Sequence, residues 1–169
     1  MNEITENKNV NPALKLNFIS HGTLMCKDLA ASRRLYEEFF GFEVVKPSDV
    51  SLWVRLGGDH VYVAVETQLA REPMPMLNHN GLDVSSDEEV KVCHEIVTEQ
   101  ADKWGFYRIS KPRVQHGTFS FYFWDMDDNC WEIQSNPRGG YSWMFERGDQ
   151  EGMGHMLPDF ERPELDNEA

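Results

Sequence analysis

Three side chains of metal-binding type, His21, His79 and Glu132, stand far apart in the chain but at related places in it. His21 and His79 each fall at the start or early part of a β-rich run, and Glu132 falls in the last such run. Two imidazoles and one carboxylate leave coordination positions open, which suits a divalent metal that does chemistry. Iron(II), which activates oxygen, is the usual occupant of such a set, and manganese, zinc or nickel serve as Lewis acids. A lone histidine in a strand is more often structural than ligating. His21 and His79 depart from that rule together, because they mark equivalent points of an internal repeat.

The elements that must position these residues can be read in order. Residues 1–15 form a polar leader. Leu16 to Cys26 predicts a strand, and Asp28 caps a helix that runs to about Phe40 and stops at Gly41. Phe42 to Val45, Leu52 to Leu56 and Val61 to Glu66 predict short strands, with Gly57-Gly58-Asp59 as a turn. Residues 67–78, with Pro73 and Pro75, form a linker. The same order then begins again. His79 to Val84 predicts a strand. Ser86 with Glu89 makes a capping box ahead of the stripe Val90, Cys93, Val97, Ala101 and Trp104, which ends at Gly105. Tyr107 to Ser110 reads as a short strand, Lys111 to Gly117 as a basic loop containing His116, and Phe119 to Gln134 as a hairpin. Gly41-Phe42 recurs as Gly105-Phe106. An α+β unit of strand, helix and three strands thus occurs twice, over 16–66 and 79–136. Residues 137–169 lack periodicity and carry an aromatic patch, Tyr141, Trp143 and Phe145, expected to pack on the domain or on a partner subunit. Their acidic end is expected to be mobile.

The hairpin is the most informative stretch. Centred on Asp127, it sets Tyr122 opposite Glu132. Ser120, Tyr122 and Trp124 then share a face with Cys130, Glu132 and Gln134. Phe119, Phe121, Phe123, Trp131 and Ile133 take the other, wholly apolar face. From the hairpin alone a solvated outer face is the simpler reading of the polar side, although an acid is rarely placed mid-strand without a partner.

Composition narrows the function classes. The net charge of −13 over 169 residues argues against nucleic acid and anionic membranes as partners, since both would be repelled. Eight acids against Arg147 and Arg162 lie from Phe145 onward, so the remaining body is only mildly acidic. The three cysteines, Cys26, Cys93 and Cys130, are odd in number and scattered, as free thiols in a reducing compartment would be. No secretion signal or membrane-span pattern is present, and a cytoplasmic location is expected.

The runs from His21 to Ser32 and from Tyr36 to Phe42 resemble the opening of a vicinal oxygen chelate module. His79-Asn-Gly-Leu-Asp-Val resembles the start of a second module, and Ser120 to Ile133 its closing hairpin. That superfamily contains glyoxalase I, extradiol ring-cleaving dioxygenases, fosfomycin-resistance thiol transferases, methylmalonyl-CoA epimerase and bleomycin-binding proteins. The resemblance covers about Phe18 to Ser135. It implies two βαβββ modules whose strands form a curved mixed sheet, a half-barrel around a metal, often completed in a homodimer. It also implies His21, His79 and Glu132 as the ligands. The usual turn of the family, Asp-Pro-Asp-Gly-Asn, here has Met126 and Asp128 in place of the Pro and Gly. The glyoxalase and epimerase branches add a fourth ligand from the last strand of the first module, where this chain offers Val63, Ala64, Val65 and Glu66. A solvated strand end is the simpler reading of Glu66.

Three ligands favour the dioxygenase or thiol-transferase branches. Extradiol enzymes keep a tyrosine ten positions before the glutamate ligand, where Tyr122 stands, and a histidine a few residues earlier, near His116. The resemblance implies that Tyr122 would hydrogen-bond the metal-bound oxygen of a catecholate and that a histidine would shuttle protons. The thiol transferases share the tyrosine spacing, but their phosphonate substrate needs several cations, and Arg108, Lys111 and Arg113 are the only dense group. The expectation is an extradiol-type dioxygenase using iron(II), a small aromatic substrate and O2. A non-redox thiol transferase, lyase or isomerase is the first alternative, and a metal-free sequestering protein the second.

Overall fold

The repeat is visible in the backbone. The computed structural model describes residues 12–14, 16, 18–70, 72–137, 139–157 and 159–165. The chain divides into two compact units, Met1–Ala70 and Arg71–Ala169. The first contains β1 (His21–Cys26), α1 (Leu29–Arg34), β2 (Glu43–Ser48), β3 (Ser51–Arg55) and β4 (Val61–Glu66). The second contains β5 (Asn80–Val84), α2 (Asp87–Glu99), α3 (Ala101–Trp104), β6 (Arg113–Gln115), β7 (Thr118–Trp124) and β8 (Cys130–Ser135), followed by α4 (Ser142–Arg147). Each unit builds one four-stranded mixed sheet, ordered β1-β4-β3-β2 and β5-β8-β7-β6. In both, the first strand runs parallel to the last and the other neighbours are antiparallel. The helical crossover after the first strand is what permits the parallel pair. The two βαβββ units of the sequence reading are therefore present.

Local chemistry explains the helix ends. The Asp28 carboxylate accepts from the Ala31 N–H at 2.8 Å and starts α1. The helix then widens into a π-helical turn, Leu35–Phe39, where the Phe40 N–H reaches the Leu35 carbonyl at 3.2 Å. Leu35 and Tyr36 are fully buried there, and Tyr36 stacks on Phe42. In the second unit Ser86 Oγ accepts from the Glu89 N–H at 3.2 Å. The Glu89 carboxylate reaches back to the Ser85 N–H, one residue before the position a reciprocal box would use. Val90, Val97 and Trp104 bury the helical stripe against the apolar face of the β7–β8 hairpin, where Phe121, Phe123 and Trp131 are fully buried.

The hairpin register is the expected one, with Tyr122 opposite Glu132 and Trp124 opposite Cys130. Elsewhere the strands differ from the sequence reading. β1 begins at His21, opposite the first residue of β4, because among the described residues nothing upstream has a ladder partner; Leu16, Phe18 and Ile19 are exposed. Tyr107 makes only an isolated bridge to Trp124. Arg108, at φ +51°, turns the chain away, and pairing resumes at β6, inside what reads as a basic loop. Of the leader, only residues 12–14 are described, and the last four residues of the acidic end also lie outside the described residues.

Candidate metal centre

Glu132 sits mid-strand on β8, between Tyr122 of β7 and Gly81 of β5. It is 1% exposed. Its Oε2 lies 3.0 Å from His79 Nε2. Its Oε1 lies 3.9 Å from His116 Nε2 and has no hydrogen-bond partner. The solvated outer face is thus corrected: Ser120, Tyr122, Trp124, Cys130 and Gln134 on the same side are all buried too. The reason is that other segments of the second unit lie over that side. Trp124 Nε1 donates to the Met74 carbonyl at 2.7 Å, and the Tyr141 hydroxyl donates to Gln134 Oε1 at 2.7 Å. Trp143 Nε1 donates to Asn136 Oδ1 at 3.1 Å. The C-terminal extension therefore packs on its own unit through Tyr141 and Trp143, while Phe145, the third member of the aromatic patch, is exposed.

The linker sets the ring of His79. Met74 is tied by the Asp128 carbonyl to the hairpin turn, and a 3₁₀ turn, Met76–Asn78, follows directly. His79 Nδ1 lies 2.6 Å from the Met76 carbonyl, so this nitrogen carries a hydrogen and donates it. The lone pair of a neutral ring is then on Nε2, facing the carboxylate of Glu132. Two acceptors 3.0 Å apart repel unless a proton or a cation lies between them. Without a cation the proton is there: the hydrogen bond to Glu132 raises the His79 pKa above its ordinary value. Burial pushes the Glu132 carboxyl up, but His79 and the hydroxyls of Ser120 and Tyr122 outweigh it and hold it below the usual range. Ligating histidines characteristically donate their other N–H to a carbonyl, as His79 does to Met76.

His116 arrives from a two-residue hairpin turn, His116-Gly117, with φ of +37° and +81°. Both positive values match a type I′ turn, in which Asn-Gly is the favoured pair and a histidine is costly. Its Nε2 lies 3.0 Å from the Tyr122 hydroxyl. Burial lowers the His116 pKa, and burial with the charge of Glu132 raises that of Tyr122, so the imidazole is neutral and the phenol protonated. Tyr122 and His116 thus share one hydrogen bond, whose direction the His116 tautomer sets, and form an acid–base couple beside the orphaned oxygen of Glu132.

The remaining candidates, His21 and Glu66, belong to the first unit. His21 opens β1 in the first unit, exposed, with Nδ1 2.8 Å from Ser20 Oγ. Among the described residues no group of three or more His, Cys, Asp or Glu side chains is already gathered for an ion. The donor set still fits one: Glu132 Oε1 is a buried, unpartnered anionic oxygen, and the His79 lone pair is aimed at its neighbour. Glu66 has another task, since its Oε2 accepts from the Leu29 N–H at 3.0 Å at the start of α1. In the first unit Val63 faces Thr23, two residues after His21, as Glu132 faces Gly81, two residues after His79. Cys130 is an inert thiol, pushed up to about 12 by burial and then by Glu132. A hollow of about 550 Å³ on the first unit, lined by Gly41, Glu43, Arg55 and Leu56 to Asp59, holds only an exposed ion pair and none of this chemistry. Reasoning from the sequence missed Gln134 and Tyr141; the signal for Gln134 was its place two residues beyond Glu132 on the same side.

No family model matches the chain, and no curated protein does. Solved structures match well. Fosfomycin resistance protein FosX from Listeria monocytogenes is 25% identical, with a TM-score of 0.58 over 80% of this chain and 100% of that one. A structure of the same protein with Mn(II) and sulfate is 22% identical, with a TM-score of 0.59 over 78% and 99%. A possible glyoxalase from Bacillus cereus is 20% identical, with a TM-score of 0.57 over 69% and 97%.

Proposed function

We propose that this chain, whose fold is that of the vicinal oxygen chelate superfamily, is a divalent-metal enzyme of the extradiol type that opens the ring of a small catechol-like aromatic with O2. The observation that carries the reading is the Tyr122–His116 couple, 3.0 Å apart, beside the unpartnered Oε1 of Glu132. His79 and Glu132, with His21 as the third ligand, would hold the metal. Bound there, a divalent ion would acidify a chelating hydroxyl and, as iron(II), supply the electrons that activate oxygen. The protein's own residues would do the rest. Tyr122 would hold the substrate oxygen by hydrogen bonding, and neutral His116 would take and return a proton through Nε2. Trp124, Tyr107 and Met74, which pack around Tyr122 and Cys130, suit an aromatic ring. Arg162 is engaged by Asp87, and Arg108, Lys111 and Arg113 are exposed, so among the described residues no buried cation prepares the site for a phosphonate.

A second reading, a non-redox thiol transferase, lyase or isomerase using manganese, zinc or nickel, is favoured by the Mn(II) in the similar FosX structure. A homodimer is part of the proposal. No described helix is long and apolar enough to cross a membrane. Loading the purified chain anaerobically with iron(II) and admitting air with a panel of catechols tests the reading: yellow ring-fission products with oxygen uptake are expected. Turnover with manganese and no oxygen uptake would replace it by the second reading. His79→Ala is expected to abolish metal binding under both, and unchanged metal content would end both.

A further inference from the structure

Gln134 is the buried polar group of the site that the chemistry above leaves without a task. It lies on β8 two residues beyond Glu132, on the same side of the sheet, and is 4% exposed. Asp83 is its partner across the parallel pair, and Gly81 is the partner of Glu132. The Gln134 side chain does not stay at its own level. Its Nε2 lies 3.1 Å from where a Cβ on Gly81 would stand, so the amide leans along the strand to the level of Glu132 and fills the space that the glycine leaves. The other end of the amide is clamped by the Tyr141 hydroxyl, which donates to Oε1 at 2.7 Å. That bond fixes which way round the amide sits, with both N–H groups turned from Tyr141. Among the described residues nothing accepts a hydrogen bond from Nε2. Nε2 is not one of the unpartnered side-chain atoms sealed from solvent, so it opens onto the site, and a ligand oxygen arriving there meets a donor that the Tyr141 clamp has already oriented.

We infer that Gln134 is a substrate-recognising residue, its amide held by Tyr141 so that Nε2 donates to an acceptor oxygen of the substrate beside Glu132. Tyr141 is the positioning residue, and it makes the first turn of the C-terminal segment a working part of the site. The ligand class is a small molecule that carries a carbonyl, carboxylate or ionised hydroxyl oxygen next to its chelating oxygens. A ligand without that acceptor leaves the amide unpaired, and this is how a polar site rejects a near-isostere. The inference rests on the metal reading above.

The test uses the full chain loaded with Mn(II) and two probes, 4-nitrocatechol followed by absorption and acetohydroxamate followed by titration calorimetry. Gln134→Glu keeps the acceptor for Tyr141 and removes both donors; Gln134→Leu removes all polarity; Tyr141→Phe removes only the clamp. Probe affinity is expected to fall at least about tenfold in both Gln134 variants and less in Tyr141→Phe. Metal content of Gln134→Leu and Tyr141→Phe is expected to stay as in the parent. Metal-loaded variants that bind both probes like the parent overturn the inference alone. So does a parent that holds metal and binds neither probe. Gln134-dependent binding of the hydroxamate without any of the catechol supports the inference and ends the ring-cleavage reading. A parent that holds no metal ends both.

Discussion

His79 shows how one side chain can be prepared for an ion by its neighbours. The Met76 carbonyl takes its Nδ1 hydrogen and Glu132 faces its Nε2. In the metal-free chain the resulting ion pair stabilises the fold fully between about pH 4.5 and 6.5, the ordinary values of the two groups. It fades as pH rises through the raised pKa of His79 and as pH falls through the lowered one of Glu132. Metal must displace the His79 proton, so apparent affinity measured by titration is expected to rise about tenfold per pH unit until that raised pKa is passed. His116→Ala is expected to keep metal and to lower kcat by about 10² to 10⁴, measured on the iron(II)-loaded chain. At this scale the Tyr122–Glu132 pairing was legible in the sequence, because counting outward from an acidic turn sets a register. His116 was legible only as a neighbour, since its contact depends on a strained two-residue turn. Gln134 was legible only as a member of the Glu132 face, and its tie to Tyr141 was not, because what covers a polar face cannot be read from the alternation of that face.

The hairpin turn holds the site together from beneath. Asp125 is fully buried, and its two oxygens accept from the Asp127 and Asn129 N–H groups, the Asn129 amide and Trp131 Nε1. Burial pushes its pKa up to about 6, while these donors pull it down. Asp128 occupies the glycine position of the usual family turn at φ +66°, and its side chain accepts from the Tyr107 hydroxyl, which recovers part of the strain. Asp125→Ala strands four donors at once and is expected to cost roughly 3 kcal/mol or more in urea unfolding. Helix starts were readable from Asp28, Ser86 and Glu89, whose side chains have a fixed chemical task. β6 was not, because Arg108 enters the left-handed region without a glycine to announce it, and positive charge read as loop.

Taken as a whole, the chain treats its two units differently. In the second, the segment after β8 lies on the polar side and is tied at its far end by Arg162, whose guanidinium grips the Asp87 carboxylate and Ser135 Oγ. Arg162→Ala is expected to speed proteolytic cleavage between Gly148 and Arg162 while leaving the rest of the unit intact, measured by limited digestion. No pattern of residue types announces this tie, which joins residues 75 apart. In the first unit the sheet side bearing His21 is open: Val45 is 51% and Trp53 48% exposed, with Val61, Val63 and Val65 half-buried beside them. The proposed homodimer would use that side, and Trp53→Asp is expected to give monomers in sedimentation with the fold retained. A greasy patch on a polyanion of charge −13 has a practical corollary. Copies repel at a distance and adhere on contact, so added sodium chloride should tighten self-association instead of loosening it. Acidifying the buffer toward pH 4.8, where the repulsion vanishes, should bring the protein out of solution.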